Sequence, residues 1–245
     1  EIERVNASVL SLDGVGLQLA SIRILDADGG TLVLADADDQ GLANLRLPNG
    51  TWNVAVQWSG RLFDLGQQSV SGPTQWNLLL PIVNPLVQLS EVSNISIEGA
   101  SVVFTDSQGM NWTGAHSNST GATHIRMPTG NLSAVVRIAG FVVYEAEIVV
   151  DENTTSMDFI IDLPEAFVTV VAADGTALDA VELKLLSRGG TLIDVALTNS
   201  NGAAILRAPN GDHVLTARWL GQEIGSQNLT ISGIVNVTMI AAVHP

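Results

Sequence analysis

The amino-acid sequence predicts an all-β protein made of three tandem β-sandwich domains in an elongated array. Three observations carry this expectation. No amphipathic segment of useful length repeats with the helical period. Short runs rich in Val, Ile, Leu and Thr alternate with Gly, Asn, Asp and Pro clusters roughly every 8–12 residues, the pattern of a sandwich or barrel. One stretch is written three times: GLANLRLPNGTWNVAVQWSG at 41–60, GATHIRMPTGNLSAVVRIAG at 121–140 and GAAILRAPNGDHVLTARWLG at 202–221. Gly41, Arg46, Pro48, Gly50 and Gly60 recur as Gly121, Arg126, Pro128, Gly130 and Gly140, then as Gly202, Arg207, Pro209, Gly211 and Gly221. A repeat of that period overrides the one- or two-domain expectation that a length of 245 residues sets alone. We place the domains at 1–83, 84–163 and 164–245.

In the first domain Val5, Ala7 and Val9 alternate along an opening strand, and Asp13-Gly14 turns the chain. Ile22 and Ile24 lie in a second strand, followed by the Asp26–Gly30 turn, Leu32 and Leu34, and a loop over 36–41. The repeated stretch then places Ala43, Leu45 and Leu47 on one face and Asn44 and Arg46 on the other. Pro48-Asn49-Gly50 is a hairpin turn: proline presets φ, and Asn or Gly accepts a positive φ. The return strand buries Trp52, Val54, Val56 and Trp58. Its counterparts bury Leu132, Ala134, Val136 and Ile138, then Leu215, Ala217 and Trp219, with Ser133, Arg137, Thr216 and Arg218 outward. Upstream, Ala20, Ala100 and Ala180 read as equivalent. Val235, Val237 and Met239 point inward in the last strand, with Asn236 and Thr238 outward. The joints at 81–85 and 163–165 are short and carry proline, which favours a semi-rigid string.

Composition narrows the function. A formal net charge of -15 repels phosphate backbones and argues against a nucleic-acid partner. The absence of cysteine removes disulfides, thiolate metal sites and cysteine nucleophiles. No run of apolar residues is long enough to span a membrane. No basic-then-apolar leader opens the chain, so a signal peptide has been removed or the chain is a window of a longer protein.

The run TNSNGAAILRAPNG at 198–211, followed by a strand and Trp219-Leu220-Gly221, resembles the carboxypeptidase-regulatory-like domains. These are transthyretin-like (prealbumin-like) sandwiches found in tandem on prokaryotic surface proteins. The resemblance implies seven-stranded, Ig-like units serving as spacers or binding modules. The tyrosine usual in that family after the second glycine is replaced by Trp52, Leu132 and His213. The hydrolase branch of the fold ends in Tyr-Arg-Gly-Ser. This chain ends Ala-Ala-Val-His-Pro, so that activity is not implied.

The densest functional signal is the N-glycosylation sequon. Nine occur, at Asn6, Asn49, Asn94, Asn111, Asn118, Asn131, Asn153, Asn228 and Asn236. With 16 Asn and 36 Ser plus Thr in 245 residues, composition alone gives about two or three. Asn6, Asn131, Asn228 and Asn236 fall on the outward register of strands and the others in turns, so none needs to be buried under a glycan. Glycans there would also shield sheet edges. Asp13, Asp36, Asp38 and Asp39 read either as weak Ca²⁺ candidates gathered at one end of the first sandwich or as ordinary turn residues. Asp174, Asp179, Asn199 and Asn201 take the matching end of the third. His116, His124, His213 and His244 show no zinc spacing, and His213 takes an inward core slot. No nucleophile elbow appears. Arg46, Arg126 and Arg207 recur outward, for cross-strand or inter-unit pairing or for acidic ligands. Of the five Trp, Trp112 lies in a loop beside a sequon and is the candidate for stacking on sugar.

Together these point to a non-enzymatic, glycosylated, extracellular protein of a cell-surface filament, surface layer or stalk. One lysine against nine arginines, with the sequon density, points to an archaeal source. Self-association is expected, with residues 1–12 completing a neighbour's sheet. The alternative is an adhesin or carbohydrate-binding module working through end loops.

Overall fold

The computed structural model describes residues 1–242, and among them every regular element is a β-strand. His244 lies outside the described residues. The first seven strands are β1 (Ile2–Leu10), β2 (Ser21–Leu25), β3 (Thr31–Asp36), β4 (Leu42–Pro48), β5 (Gly50–Trp58), β6 (Arg61–Val70) and β7 (Thr74–Leu79). They form two sheets, β4-β1-β7 and β3-β2-β5-β6. Next come β8 (Ile82–Val83), β9 (Leu86–Glu91), β10 (Ser101–Asp106), β11 (Asn111–Thr113), β12 (Ala122–His124), β13 (Met127–Pro128), β14 (Gly130–Ile138), β15 (Phe141–Val150) and β16 (Ser156–Ile161). Here the sheets are β12-β9-β16 and β11-β10-β14-β15, with β8 paired to β13. The last set is β17 (Glu165–Val171), β18 (Glu182–Ser187), β19 (Leu192–Leu197), β20 (Ala203–Arg207), β21 (Gly211–Trp219), β22 (Gln222–Ile231) and β23 (Val235–Ile240). Its sheets are β20-β17-β23 and β19-β18-β21-β22. We call each set that shares sheets a unit.

Alternation builds these sheets. Along β4, Ala43, Leu45 and Leu47 are buried while Leu42, Asn44 and Arg46 are exposed. Val5 and Val9 of β1 pack with Ile22, Ile24, Val54 and Val56 across the sandwich. Burying such a side chain is worth about 1.5–3 kcal/mol. The apolar cores of the first two units are continuous, and that of the third is separate. Continuity runs through the first joint. Leu80 and Ile82 are fully buried, the Leu12 N–H donates to the Ile82 carbonyl at 2.9 Å, and the Thr129 N–H donates to the Pro81 carbonyl at 2.9 Å. The joint is therefore hydrogen-bonded into the second unit.

The repeated stretch explains itself at its glycines. Gly41, Gly121 and Gly202 have φ of 79°, 76° and 69°, and a Cβ on any of them would overlap the carbonyl oxygen of Val9, Leu89 or Val170. Each sits at the end of a turn clipped by a side chain three residues upstream. The Oδ1 atoms of Asp38, Asn118 and Asn199 each accept two backbone N–H bonds of 2.9–3.1 Å. The last glycine of each copy closes a two-residue hairpin. Ser59-Gly60, Ala139-Gly140 and Leu220-Gly221 all have positive φ, the type I′ geometry that matches strand twist.

Two expectations need correction. Ala180 is not the equivalent of Ala20 and Ala100. It is exposed with φ 56°, like Leu19, and the buried slot belongs to Val181, so the period lengthens by one residue before this point. Residues 1–12, expected to complete a neighbour's sheet, are instead built into the first unit of their own chain. β1 is the middle strand of its own sheet, antiparallel to β4 and parallel to β7, so both of its edges are satisfied.

Candidate functional site

All nine sequon asparagines are exposed. Asn111, expected in a turn, lies instead on β11, and Asn228 and Asn236 lie on β22 and β23, each an edge strand of its sheet. Asn6 and Asn131 lie on the outward register of β1 and β14. The rest occupy turns. Where a side-chain bond is recorded, the amide oxygen accepts it. Asn6 takes the Arg4 Nε–H at 3.1 Å, Asn49 the Gly72 N–H at 2.9 Å, Asn111 the Thr105 hydroxyl at 2.8 Å and Asn118 the Thr120 N–H at 2.9 Å. None of these bonds uses the Nδ2 atom, the one a glycan would take.

The acidic turns do not converge on a cation. Asp13 accepts from the Ser11 hydroxyl, Asp36 from the Ser21 hydroxyl at 2.7 Å, and Asp38 from the Gln40 and Leu42 N–H groups. Asp39 is exposed. Among the described residues no group of three or more His, Asp or Glu side chains is placed to hold a metal. Serine hydroxyls hold Asp13 and Asp36 and backbone N–H groups hold Asp38, which is ordinary turn chemistry. His116 and His124 are exposed. His213 is buried, with Nε2 2.8 Å from the Pro209 carbonyl.

Trp112 also needs correction. It lies in β11, not in a loop, and is 4 % exposed. It stacks on Trp58 of the first unit with centroids 5.8 Å apart and donates its indole N–H to Asp106 at 3.2 Å. Trp52, Trp58 and Trp219 are half-buried and Trp76 is buried, so none offers a bare ring to a sugar.

These contacts reveal the junctions between units; sequence reasoning foresaw the cross-strand and inter-unit pairing of Arg207 but missed the other residues that build them. At the first, Arg61 donates to Asp106 at 2.7 Å, and the Asp106 side chain is only 2 % exposed. Burial pushes the Asp106 carboxyl pKa up. The Met110 and Gln108 N–H groups, the Trp112 indole and the Arg61 charge together outweigh that and hold it below the usual carboxylate range. A cleft of about 540 Å³ beside this pair is lined by Gln18, Leu19, Trp58, Asn111 and Arg126 among others. At the second junction Phe141 packs against His213, with centroids 5.0 Å apart, and against Gly211. Arg207 binds Glu165 across the strand pair at 2.8 Å and Glu91 of the preceding unit at 3.3 Å. Asp194 accepts the Arg207 N–H at 2.7 Å, yet burial dominates and raises its pKa.

No protein-family model matches the chain, and no curated protein matches it. Among solved structures it is similar to the TIE protein of Bacillus anthracis, with 17 % identity, TM-score 0.30, and coverage of 98 % of this chain and 51 % of that one. It thus spans about half of that protein's length. BcpA, the major pilin subunit of Bacillus cereus, matches a mutant structure at 12 % identity and TM-score 0.29, over 98 % of this chain and 99 % of the other. A streptococcal ancillary pilin matches at 13 % identity and TM-score 0.31, over 97 % and 98 %. The names belong to those proteins, and at these scores the similarity carries no functional argument.

Proposed function

We propose that this chain is a glycosylated, non-enzymatic structural protein of a cell-surface assembly, its three units forming tandem domains of a filament, surface layer or stalk. The observation that supports this most is the exposure of all nine sequon asparagines in a chain where composition favours about two or three sequons. Three of them sit on edge strands, where a bulky glycan blocks unwanted pairing. Asp106 and Asp194, two carboxylates with displaced pKa, are both bound to structural donors. An archaeal source remains the finer part of this reading, resting on sequon density and the arginine excess.

Peptide-level mass spectrometry of the protein from its native source tests the reading. Several of the nine asparagines should carry hexose-containing additions, with Asn228 and Asn236 among them. Unmodified peptides at all nine would contradict it. Calorimetry addresses the domains. With one continuous core across the first two units, residues 1–163 should melt as one cooperative body and the third unit as another. Three independent transitions would show that the joint at 80–83 transmits nothing.

A further inference from the structure

The internal junctions show what the recurrent arginine does. In the third unit Arg207 faces Glu165 across the strand pair and takes a second carboxylate, Glu91, from the unit before it. In the second unit Arg126 lines the junction cleft with Gln18 of the first. The same position in the first unit is Arg46, and its environment is inverted. Directly across the strand pair stands Arg4 where the third unit has Glu165. Like charges set opposite each other on a sheet are destabilising. Arg4 is held only by amide oxygens, those of Asn6 at 3.1 Å and Asn44 at 3.2 Å. Among the described residues neither arginine has an acidic partner, although the chain carries 25 acidic residues. Both line an open cleft of about 350 Å³ at that end of the first unit.

The opposite end of the chain supplies what is missing. Positions in the third unit follow those of the first by 161 residues, as Gly202 follows Gly41 and Gly221 follows Gly60. Gln18, which shares the junction cleft with Arg126, therefore corresponds to Asp179, and Leu19 to Ala180, which shares its positive φ. Trp58 corresponds to Trp219, whose indole N–H donates to the Asp179 carbonyl at 3.0 Å and ties the hairpin tip to the acidic loop. Beside it Leu220 is 86 % exposed. On the receiving side the Asp26 turn matches the Asp106 turn, with the same pair of clipped N–H groups, and Leu32 beyond it is 57 % exposed.

We propose that two copies of this chain dock head to tail, the 179–180 loop and 219–222 hairpin of one seated on the first unit of the next, with Asp179 received by Arg46 and Arg4. The docking repeats the junction already present between the first and second units. It rests on the reading of the chain as a self-associating structural protein. The Arg4–Arg46 pair is then a carboxylate receptor, and its repulsion is relieved on assembly. Exposed apolar surface at Leu220 and Leu32 is covered in the same step.

The test is sedimentation velocity of the full chain over a concentration series. The chain is made in a host that adds no glycans, because Asn6 and Asn49 flank the receptor. Wild type should form a concentration-dependent series of oligomers that weakens as salt rises. Arg46→Glu and Asp179→Lys should each reduce association at least tenfold, and the double reversal should restore it. Both substituted sites are exposed, and Arg46→Glu removes the Arg4–Arg46 repulsion, so no variant should melt below wild type. Association that ignores both single reversals, or a double variant that stays dissociated, overturns this docking and leaves self-association standing. A wild-type chain monomeric throughout overturns both.

Discussion

Gly121→Ala should destabilise the protein by about 3 kcal/mol or more. A non-glycine residue at φ 76° costs about 1–2 kcal/mol by itself. The added Cβ would also overlap the Leu89 carbonyl oxygen and approach the Ile97 nitrogen to 3.3 Å. These are backbone atoms of β9 and the loop after it, so no side chain can swing away. Relief requires separating the turn from β9, which breaks the 2.9 Å bond from the Leu89 N–H to the Gly121 carbonyl, worth about 1 kcal/mol. Gly72 is the control. Its φ is 80°, yet nothing lies within 4 Å of a Cβ there, so Gly72→Ala should cost only about 1–2 kcal/mol. Urea denaturation of the two variants checks this. Equal costs would mean that the close approach to β9 does not hold the unit.

Asp106→Ala should cost about 3 kcal/mol and loosen the junction between the first two units. The substitution strands the Arg61 guanidinium, the Trp112 indole N–H and two backbone N–H groups at one buried point. Removing one member of a buried pair typically costs about 3–5 kcal/mol, and the low end applies because Arg61 still reaches water. Asp106→Asn should cost less, keeping an acceptor but losing the charge. The pH dependence has a definite sign. The carboxyl pKa is lower folded than unfolded, so its stabilisation is complete above the unfolded value and is lost as pH falls through the folded one. Asp194 acts oppositely: its raised pKa favours the folded state below the unfolded value, and that contribution is lost as pH rises through the folded one. Acid melts of wild type should therefore fall more steeply than those of Asp106→Ala. Parallel curves would contradict the Asp106 assignment.

The inward and outward faces of the repeated hairpin were legible because strand parity needs only the spacing of apolar residues, and Leu132 through Ile138 alternate without a break. Its glycines were legible as punctuation, although the reason Gly41 cannot change lies in the distant Val9 carbonyl. Local rules failed where partners come from far along the chain. β1 alternates like any half-buried strand, and nothing in residues 2–10 says that β7 returns parallel beside it. Trp112 sits beside a sequon, and only the stacking of the first unit on the second buries it. Turn carboxylates such as Asp38 could not be separated from a cation site until their backbone donors were visible. Sequon exposure was readable at eight of the nine sites because parity and turn chemistry decide it locally, whereas Asn111 is exposed on an edge strand that was read as a turn.

Electron cryo-imaging of the native material tests the proposed function most directly. The expected result is a filament or layer of repeating sandwich units, with branched density rising from exposed sequons such as Asn228 and Asn236. Dispersed single chains with bare asparagines would contradict it.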